Sequence, residues 1–293
     1  MPPEDLPSLF QPHQEVETIS VEGLPETVIT PPSGWLQFRL AEIWTHWDLL
    51  TTLAWRHIQV RYKQAVLGGL WAVLQPAAAA AAFTLIFRNM VGSTGAVPYL
   101  VFAYSGVLLW QMVASIVGTG SMSLVDNAPL ITKVYFPRLL IPLSVVAYSL
   151  VDFAIGSIIL AGLMLWFGCG LSLAALSLPV AIAGAALCGL GISVFLAALT
   201  IKYRDFRFVV PFILQLWFFL SPVIYPITRL PMFAQNLIGL NPMTGWIELF
   251  RFGLFGGIFP IRAVIVSAVL STAMTIFGIA YFRQVETHFA DII

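Results

Sequence analysis

Across residues 139–201 the only charged residue is Asp152. A soluble core cannot hide such a run, because a folded domain leaves much of its area at the surface. Residues 64–87, 89–125, 208–225 and 263–282 carry no charge at all. About 20 helical residues cross the roughly 30 Å hydrocarbon layer of a bilayer. The whole chain is 59% hydrophobic and 10% charged, against about a quarter charged in a soluble domain. Lipid is the solvent this composition implies.

The expected fold is therefore an all-α membrane protein with six transmembrane helices. The first span covers 64–87, and the second starts at Tyr99 after an outer loop at 92–98. The third and fourth divide residues 139–201 at Phe167-Gly168-Cys169-Gly170-Leu171-Ser172. Residues 208–225 and 263–282 supply the fifth and sixth. Between these last two, residues 230–240 and 243–257 are apolar but too short to cross, and Pro226, Pro231 and Asn241-Pro242 interrupt them. Short broken helices at membrane depth need shelter from protein or water. They are read as a re-entrant helical hairpin forming a gate or mouth, with ordinary helix packing as the alternative.

The start of the chain differs. Residues 1–34 hold seven prolines, six acids and no lysine or arginine. Such a segment buries too little apolar surface to offset its ordering entropy, and it is expected to be a disordered cytosolic tail. It lacks the basic start and apolar run of a secretory signal. Residues 35–63 form an amphipathic interfacial region, with Trp47, Leu50, Ala54 and Ile58 on one face and Asp48, Thr52, Arg56, Gln59 and Lys63 opposite. Residues 64–293 are the six-span domain.

Lysine and arginine placement orients the chain. With the N-terminus inside, ten of them (Arg39, Arg56, Arg61, Lys63, Lys133, Arg138, Lys202, Arg204, Arg207, Arg283) fall on inner segments, and Arg88, Arg229, Arg251 and Arg262 on outer ones. Both termini are expected in the cytosol, and the protein to be multi-pass.

Several chemistries are disfavoured. Cys169 and Cys188 sit in apolar surroundings, and no Cys/His spacing suggests a metal site. No span contains a histidine, and Asp126, Asp152 and Asp205 stand alone, so an intramembrane enzyme lacks its acid–base pair. A secondary transporter would show internal repeats and several buried ionisable groups. A phosphate-cradling loop needs glycine, lysine, then serine or threonine, whereas Lys63, Lys133 and Lys202 each follow another residue. This chain does not hydrolyse ATP through a Walker loop.

Three clusters go beyond hydropathy. The first is Trp55-Arg56-His57-Ile58-Gln59-Val60-Arg61-Tyr62-Lys63-Gln64, leading into Leu67-Gly68-Gly69-Leu70-Trp71 and Leu74-Gln75-Pro76. The second is Asn127-Ala128-Pro129-Leu130-Ile131-Thr132-Lys133-Val134-Tyr135-Phe136-Pro137-Arg138, read as a short inner loop with exposed aromatics between basic residues. The third is Phe219-Leu220-Ser221-Pro222-Val223-Ile224-Tyr225-Pro226, followed by Leu240-Asn241-Pro242-Met243. Over residues 35–290 these stretches resemble the permease subunits of type-2 ABC exporters for polysaccharides and polyol phosphates, the O-antigen, capsule and teichoic acid exporters among them. His57 and Gln59 depart from the acid and lysine expected there.

The resemblance implies a homodimer in a bacterial inner (plasma) membrane, bound to two copies of an ABC ATPase subunit. It implies a lipid-linked polysaccharide as substrate. This chain would hold no cofactor, with ATP and Mg²⁺ on the partner. A cytosolic coupling helix would fall on residues 127–138, with Asn127, Lys133, Tyr135, Phe136 and Arg138 meeting the ATPase. A gate helix would use Arg56, Arg61, Tyr62 and Lys63. The channel would be lined by aromatic rings, for which Phe83, Phe87, Tyr104, Trp110, Trp217 and Phe218 are the candidates, together with Asp152. Sugar rings stack their C–H faces on aromatic planes, whereas lipid contact or packing is the plain reading of any single ring. Asp152 has a packing role as its alternative. A type-2 exporter of a drug or small lipid is the alternative function.

Overall fold

A computed structural model describes residues 45–63, 70–91, 97–134, 136–170 and 173–286. The expected acidic tail, most of the outer loop at 92–98, Tyr135 and the C-terminal residues 287–293 lie outside the described residues. All secondary structure among the described residues is helical. The α-helices among them are α1 Trp47–Lys63, α2 Leu70–Val91, α3 Tyr99–Asp126, α4 Ala128–Lys133, α5 Leu140–Trp166, α6 Leu178–Lys202, α7 Phe206–Leu220, α8 Met232–Gly239, α9 Thr244–Phe255 and α10 Ile261–Glu286. Two 3₁₀ turns, Leu173–Ser177 and Ile227–Arg229, join them.

Helices occupy each stretch drawn as a span. Four described helices are long and apolar enough to cross a membrane: α3, α5, Leu173–Lys202 containing α6, and α10. The apolar parts of α2 and α7, Val73–Phe87 and Phe206–Leu220, are shorter. At 1.5 Å per residue each is about 22 Å long.

The break between α5 and α6 is a local backbone event. Gly168 adopts φ 67°, a conformation open to glycine at little cost. Its N–H donates to the Leu165 carbonyl at 3.2 Å, and the Cys169 N–H donates to the Met164 carbonyl at 2.8 Å. This paired pattern is a Schellman motif, which satisfies the last carbonyls of α5 and reverses the chain. Pro179, in the first turn of α6, suits the next helix start.

α3 is the centre of the bundle. It is buried along most of its length and packs along α5 and α6, with α2 against it as well. Close approach depends on small residues, since lipid gives helices no hydrophobic reason to associate. A methyl on Gly191 would meet the Thr275 backbone, and one on Gly278 would meet the Gly191 carbonyl. The α6–α10 contact is therefore backbone on backbone. α9 is fastened to α10 by polar bonds: the Gly245 N–H donates to Ser267 Oγ at 2.8 Å and Trp246 Nε1 to Ser271 Oγ at 2.9 Å.

A second cluster closes one end of the bundle. It joins Leu50 and Leu53 of α1, Leu124 of α3, Ile131 of α4, Phe136, Leu140 of α5, Ile201 of α6 and Phe282 of α10. α1 carries its whole polar stripe, Asp48, Thr52, Arg56, Gln59 and Lys63, exposed as expected. Its buried face is Leu50, Leu53 and Ala54, while Trp47 is 52% exposed. α7 packs against α3 and α6 and meets α2 through Phe218. It leaves Phe208, Phe212, Leu216 and Phe219 exposed, a face stable only against lipid or another apolar surface.

Candidate functional site: an aromatic wall, a hydrogen-bonded turn and a short loop helix

Five of the aromatic candidates converge from three helices. Phe83 of α2 lies 6.1 Å from Phe87 and stacks on Phe218 of α7 at 5.6 Å between centroids. Trp110 of α3 meets Phe218 edge-on at 5.8 Å and Trp217 at 5.2 Å. Phe219 continues the series at 5.3 Å from Phe218. Spacings and tilts of this kind are those aromatic pairs prefer. Trp110 is buried beneath, while Phe83, Phe87, Trp217 and Phe218 keep part of their surface open. Together they form a wall of rings on one side of the bundle.

Tyr104 does not join them. It is fully buried and donates its hydroxyl to the Gly156 carbonyl of α5 at 3.0 Å. Its side chain is a packing element between α3 and α5. Asp152 lies elsewhere again, in the lining of a separate cavity between α2, α3 and α5.

The third sequence cluster folds onto itself at the end of the wall. Trp217 Nε1 donates to Asn241 Oδ1 at 2.9 Å, and the Met243 N–H donates to the same oxygen at 2.9 Å. Asn241 Nδ2 donates to the Leu220 carbonyl at 3.1 Å and to Ser221 Oγ at 2.9 Å. One amide therefore satisfies the end of α7 and the turn into α9. It ties Ser221-Pro222-Val223 to Asn241-Pro242-Met243, two motifs that are separate in the sequence.

Arg251 of α9 holds the same turn from behind. Its Nη1 donates to the Pro222 carbonyl at 2.7 Å, and its Nη2 to Val223 at 2.5 Å and Phe102 at 3.2 Å. Its guanidinium carbon lies 3.6 Å from the Phe102 ring centroid. Tyr99 adds a hydroxyl bond to the Ile224 carbonyl at 2.7 Å. Gly106 makes this possible, because a Cβ there would meet both Arg251 Nη2 and the Val223 carbonyl. The charge distribution along the sequence puts Arg251 on an outer segment. Its place in a short, largely apolar helix was the signal for a buried, paired role.

At the other end, the loop between α3 and α5 contains a helix of six residues, α4. Pro129 in its first turn suits a helix start. Asn127 is buried, its Nδ2 donating to the Ser123 carbonyl at 2.8 Å. Lys133 is exposed, as is Val134. Phe136 contradicts the expectation of an exposed aromatic. It is 5% exposed and packed in the cluster with Leu50, Leu53 and Leu140. The reason is the chain's path: α4 ends at Lys133 and the strand-like backbone at Val134 returns Phe136 under α1. Arg138 donates through Nη1 to the Glu286 carbonyl, tying this loop to the end of α10.

On α1, Arg56 and Lys63 are exposed; the Arg61 and Tyr62 side chains lie outside the described residues. Between them, His57 stacks on Tyr148 of α5, 5.3 Å between ring centroids. Burial, then the Arg56 charge, lowers the His57 pKa below its ordinary 6.5, while Asp126 acts in the opposite sense.

Residues 48–255 match the ABC-2 type transporter family. The chain is also similar to a Klebsiella pneumoniae protein called O-antigen export system permease protein RfbA, at 28% identity over 247 residues, 84% of this chain and 95% of that protein. A second Klebsiella pneumoniae protein of that name is 27% identical over the same length. A Myxococcus xanthus protein of that name is 28% identical over 213 residues, 72% of this chain and 81% of its own.

Proposed function

We propose a function for this chain from one premise: it belongs to the ABC-2 type transporter family. It is the membrane-spanning permease of an exporter that moves a lipid-linked polysaccharide of the O-antigen kind out of the cytosol. The similarity to O-antigen export permeases over most of both chains supports the substrate class. The aromatic wall is the observation on the molecule that carries it furthest. Rings from α2 and α7 keep part of their surface open and stand at van der Waals spacing on Trp110 of α3. Such a surface lets sugar rings slide by stacking, without a deep site that would hold a repeating polymer in place.

The working unit is a homodimer with two copies of an ATPase that binds ATP and Mg²⁺. The six-span layout takes α2, α3, α5, α6, α7 and α10 as the crossings. α8 and α9 form the re-entrant pair, held by Asn241 and Arg251 at the outer mouth. The end carrying α1, α4, Lys202, Arg204, Arg207 and Arg283 then faces the cytosol, in line with the excess of basic residues there. The exposed apolar face of α7 suits the second copy or lipid. α4 transmits movement of the ATPase to α3 and α5.

The test is export. Cells lacking the gene should accumulate lipid-linked glycan inside and lose it from the surface, with both restored by the wild-type chain. Loss of resistance to a drug with surface glycan intact would instead favour a small-molecule exporter.

A further inference from the structure

We propose that the polar cavity between α2, α3 and α5 binds one neutral sugar ring of the exported glycan, apart from the aromatic wall. The inference rests on the glycan reading of the function and adds to it a site and a preference.

The cavity is about 310 Å³ in volume. That is room for roughly ten waters at ~30 Å³ each, or for one pyranose ring with its hydroxyls. Six polar side chains from three helices turn toward it: Gln75 of α2, Gln111, Ser115 and Thr119 of α3, and Ser149 and Asp152 of α5. On α3 they recur every fourth residue, and on α5 at a spacing of three, so each set lies on one helix face. Gln111 stands near the middle of its helix. Polar groups at that depth are costly unless they are paired or serve a ligand or water.

Part of the lining is already engaged. Ser149 Oγ donates to Ser115 Oγ at 3.1 Å, and Ser115 Oγ lies 3.3 Å from the Tyr148 hydroxyl. Among the described residues, Gln75, Gln111 and Thr119 direct no side-chain hydrogen bond at another protein group. Two amides and a hydroxyl therefore face the cavity with donors and acceptors to offer, while Asp152 is already engaged. This mixture matches sugar hydroxyls, which both donate and accept. Phe153, Leu108 and Met112 complete the lining with apolar surface for the C–H face of a ring.

The lining also sets the charge class. Among its described lining residues there is no lysine or arginine, so none of them balances a phosphate or a sugar acid. The glycan's neutral rings fit, and its phosphate anchor does not. The floor is reached from α1, since Tyr148 bonds to Ser115 on one side and carries His57 on the other. A movement of α1 would thus be felt at the cavity.

The experiment uses the complete exporter in lipid nanodiscs, with its ATPase and lipid-linked glycan purified from the host as the probe. Gln111→Leu keeps size and removes the amide. It should raise the glycan concentration giving half-maximal stimulation of ATP hydrolysis roughly three- to tenfold, the range expected for one to two lost hydrogen bonds. In a second variant, Thr119→Cys, reaction with a small water-soluble methanethiosulfonate should slow at least threefold when the lipid-linked glycan is added. The lipid anchor without sugars should leave that rate unchanged. Unaltered stimulation in Gln111→Leu, together with equal labelling of the Thr119→Cys variant with and without glycan, would overturn the site while leaving glycan export intact. A wild-type exporter that moves no glycan would overturn the functional reading itself, and the site with it.

Discussion

Arg251 rests its guanidinium 3.6 Å from the ring centroid of Phe102 while one nitrogen donates to the Phe102 carbonyl at 3.2 Å. The same side chain supplies the Pro222 and Val223 carbonyls at the turn after α7. A planar, forked donor can serve three carbonyls and a ring face at once; an ammonium cannot. Removing it leaves the Pro222 and Val223 carbonyls without this donor, at a cost of about 1–3 kcal/mol each; the Phe102 carbonyl keeps the Ser105 hydroxyl. Arg251→Leu should therefore lower the thermal midpoint of the purified protein sharply, and Arg251→Lys should fall between it and wild type. Gly106→Ala should mimic the loss although it touches no charge, because the added methyl displaces the guanidinium. A midpoint unchanged in Gly106→Ala would show that the clasp is dispensable.

The Trp217–Asn241 bond predicts coupling between two positions 24 residues apart. Trp217→Phe removes one donor, and Asn241→Leu removes the whole amide with its four bonds. Asn241→Leu should cost about 2–3 kcal/mol, at roughly 1 kcal/mol for each of several bonds in a partly wet turn. Trp217→Phe added to it should cost close to nothing more. A double-mutant cycle on chemical denaturation should give an interaction of about 1 kcal/mol. Strict additivity would mean that the indole bond contributes nothing.

Much of the helix layout was legible from charge-free runs and turn residues. Gly168 lies in the break assigned between two spans, and its positive φ supplies the reason for the break. The α1 polar stripe was legible for the same kind of reason, since 3.6-residue periodicity is local. The rest is not local. Arg251 finds acceptors 29 and 149 positions away, so its sequence neighbours give no hint of its partners. Phe136 looked exposed because basic residues flank it, yet the chain turns it under a helix that lies before the first span. Phe83, Phe87, Trp110, Trp217 and Phe218 lie together, whereas Tyr104, chosen on the same ground, is buried between α3 and α5. An aromatic in a span gives no sign of which neighbour it faces.

His57 predicts how acid affects the seat of α1. Its pKa in the folded protein lies below 6.5, so the folded state binds the proton less readily than the unfolded chain does. Stability therefore falls as pH drops below 6.5 and keeps falling until the folded-state pKa is passed, beneath which the loss is complete. Arg56 adds to this direction and Asp126 opposes it. The thermal midpoint should decline between pH 7.5 and 5 in wild type, and less steeply in His57→Phe, which keeps a ring on Tyr148. Equal slopes in the two proteins would remove His57 from the acid response.

The loop around α4 gives the last prediction, because burial divides it into two jobs. Lys133 and Val134 are exposed at the end of α4, whereas Phe136 is 5% exposed beneath α1. A partner ATPase can reach the first pair and not the third. Phe136→Ala empties a packed site that joins α1, α4 and α5, and should cost about 3 kcal/mol through the cavity it leaves. Its thermal midpoint should fall, with ATPase binding lost only as far as the fold is. Lys133→Glu with Val134→Asp removes exposed groups and should leave the midpoint within about a degree of wild type, as surface changes commonly do. If α4 docks on the ATPase, that double variant should bring down much less ATPase on co-purification and should export poorly despite its intact fold. A basic residue serving only to hold the loop on the inner side predicts something different, namely altered insertion with normal ATPase binding by the protein that does insert. Co-purification from membranes, normalised to inserted protein, separates the two. Full ATPase recovery with the double variant would remove α4 from the coupling interface.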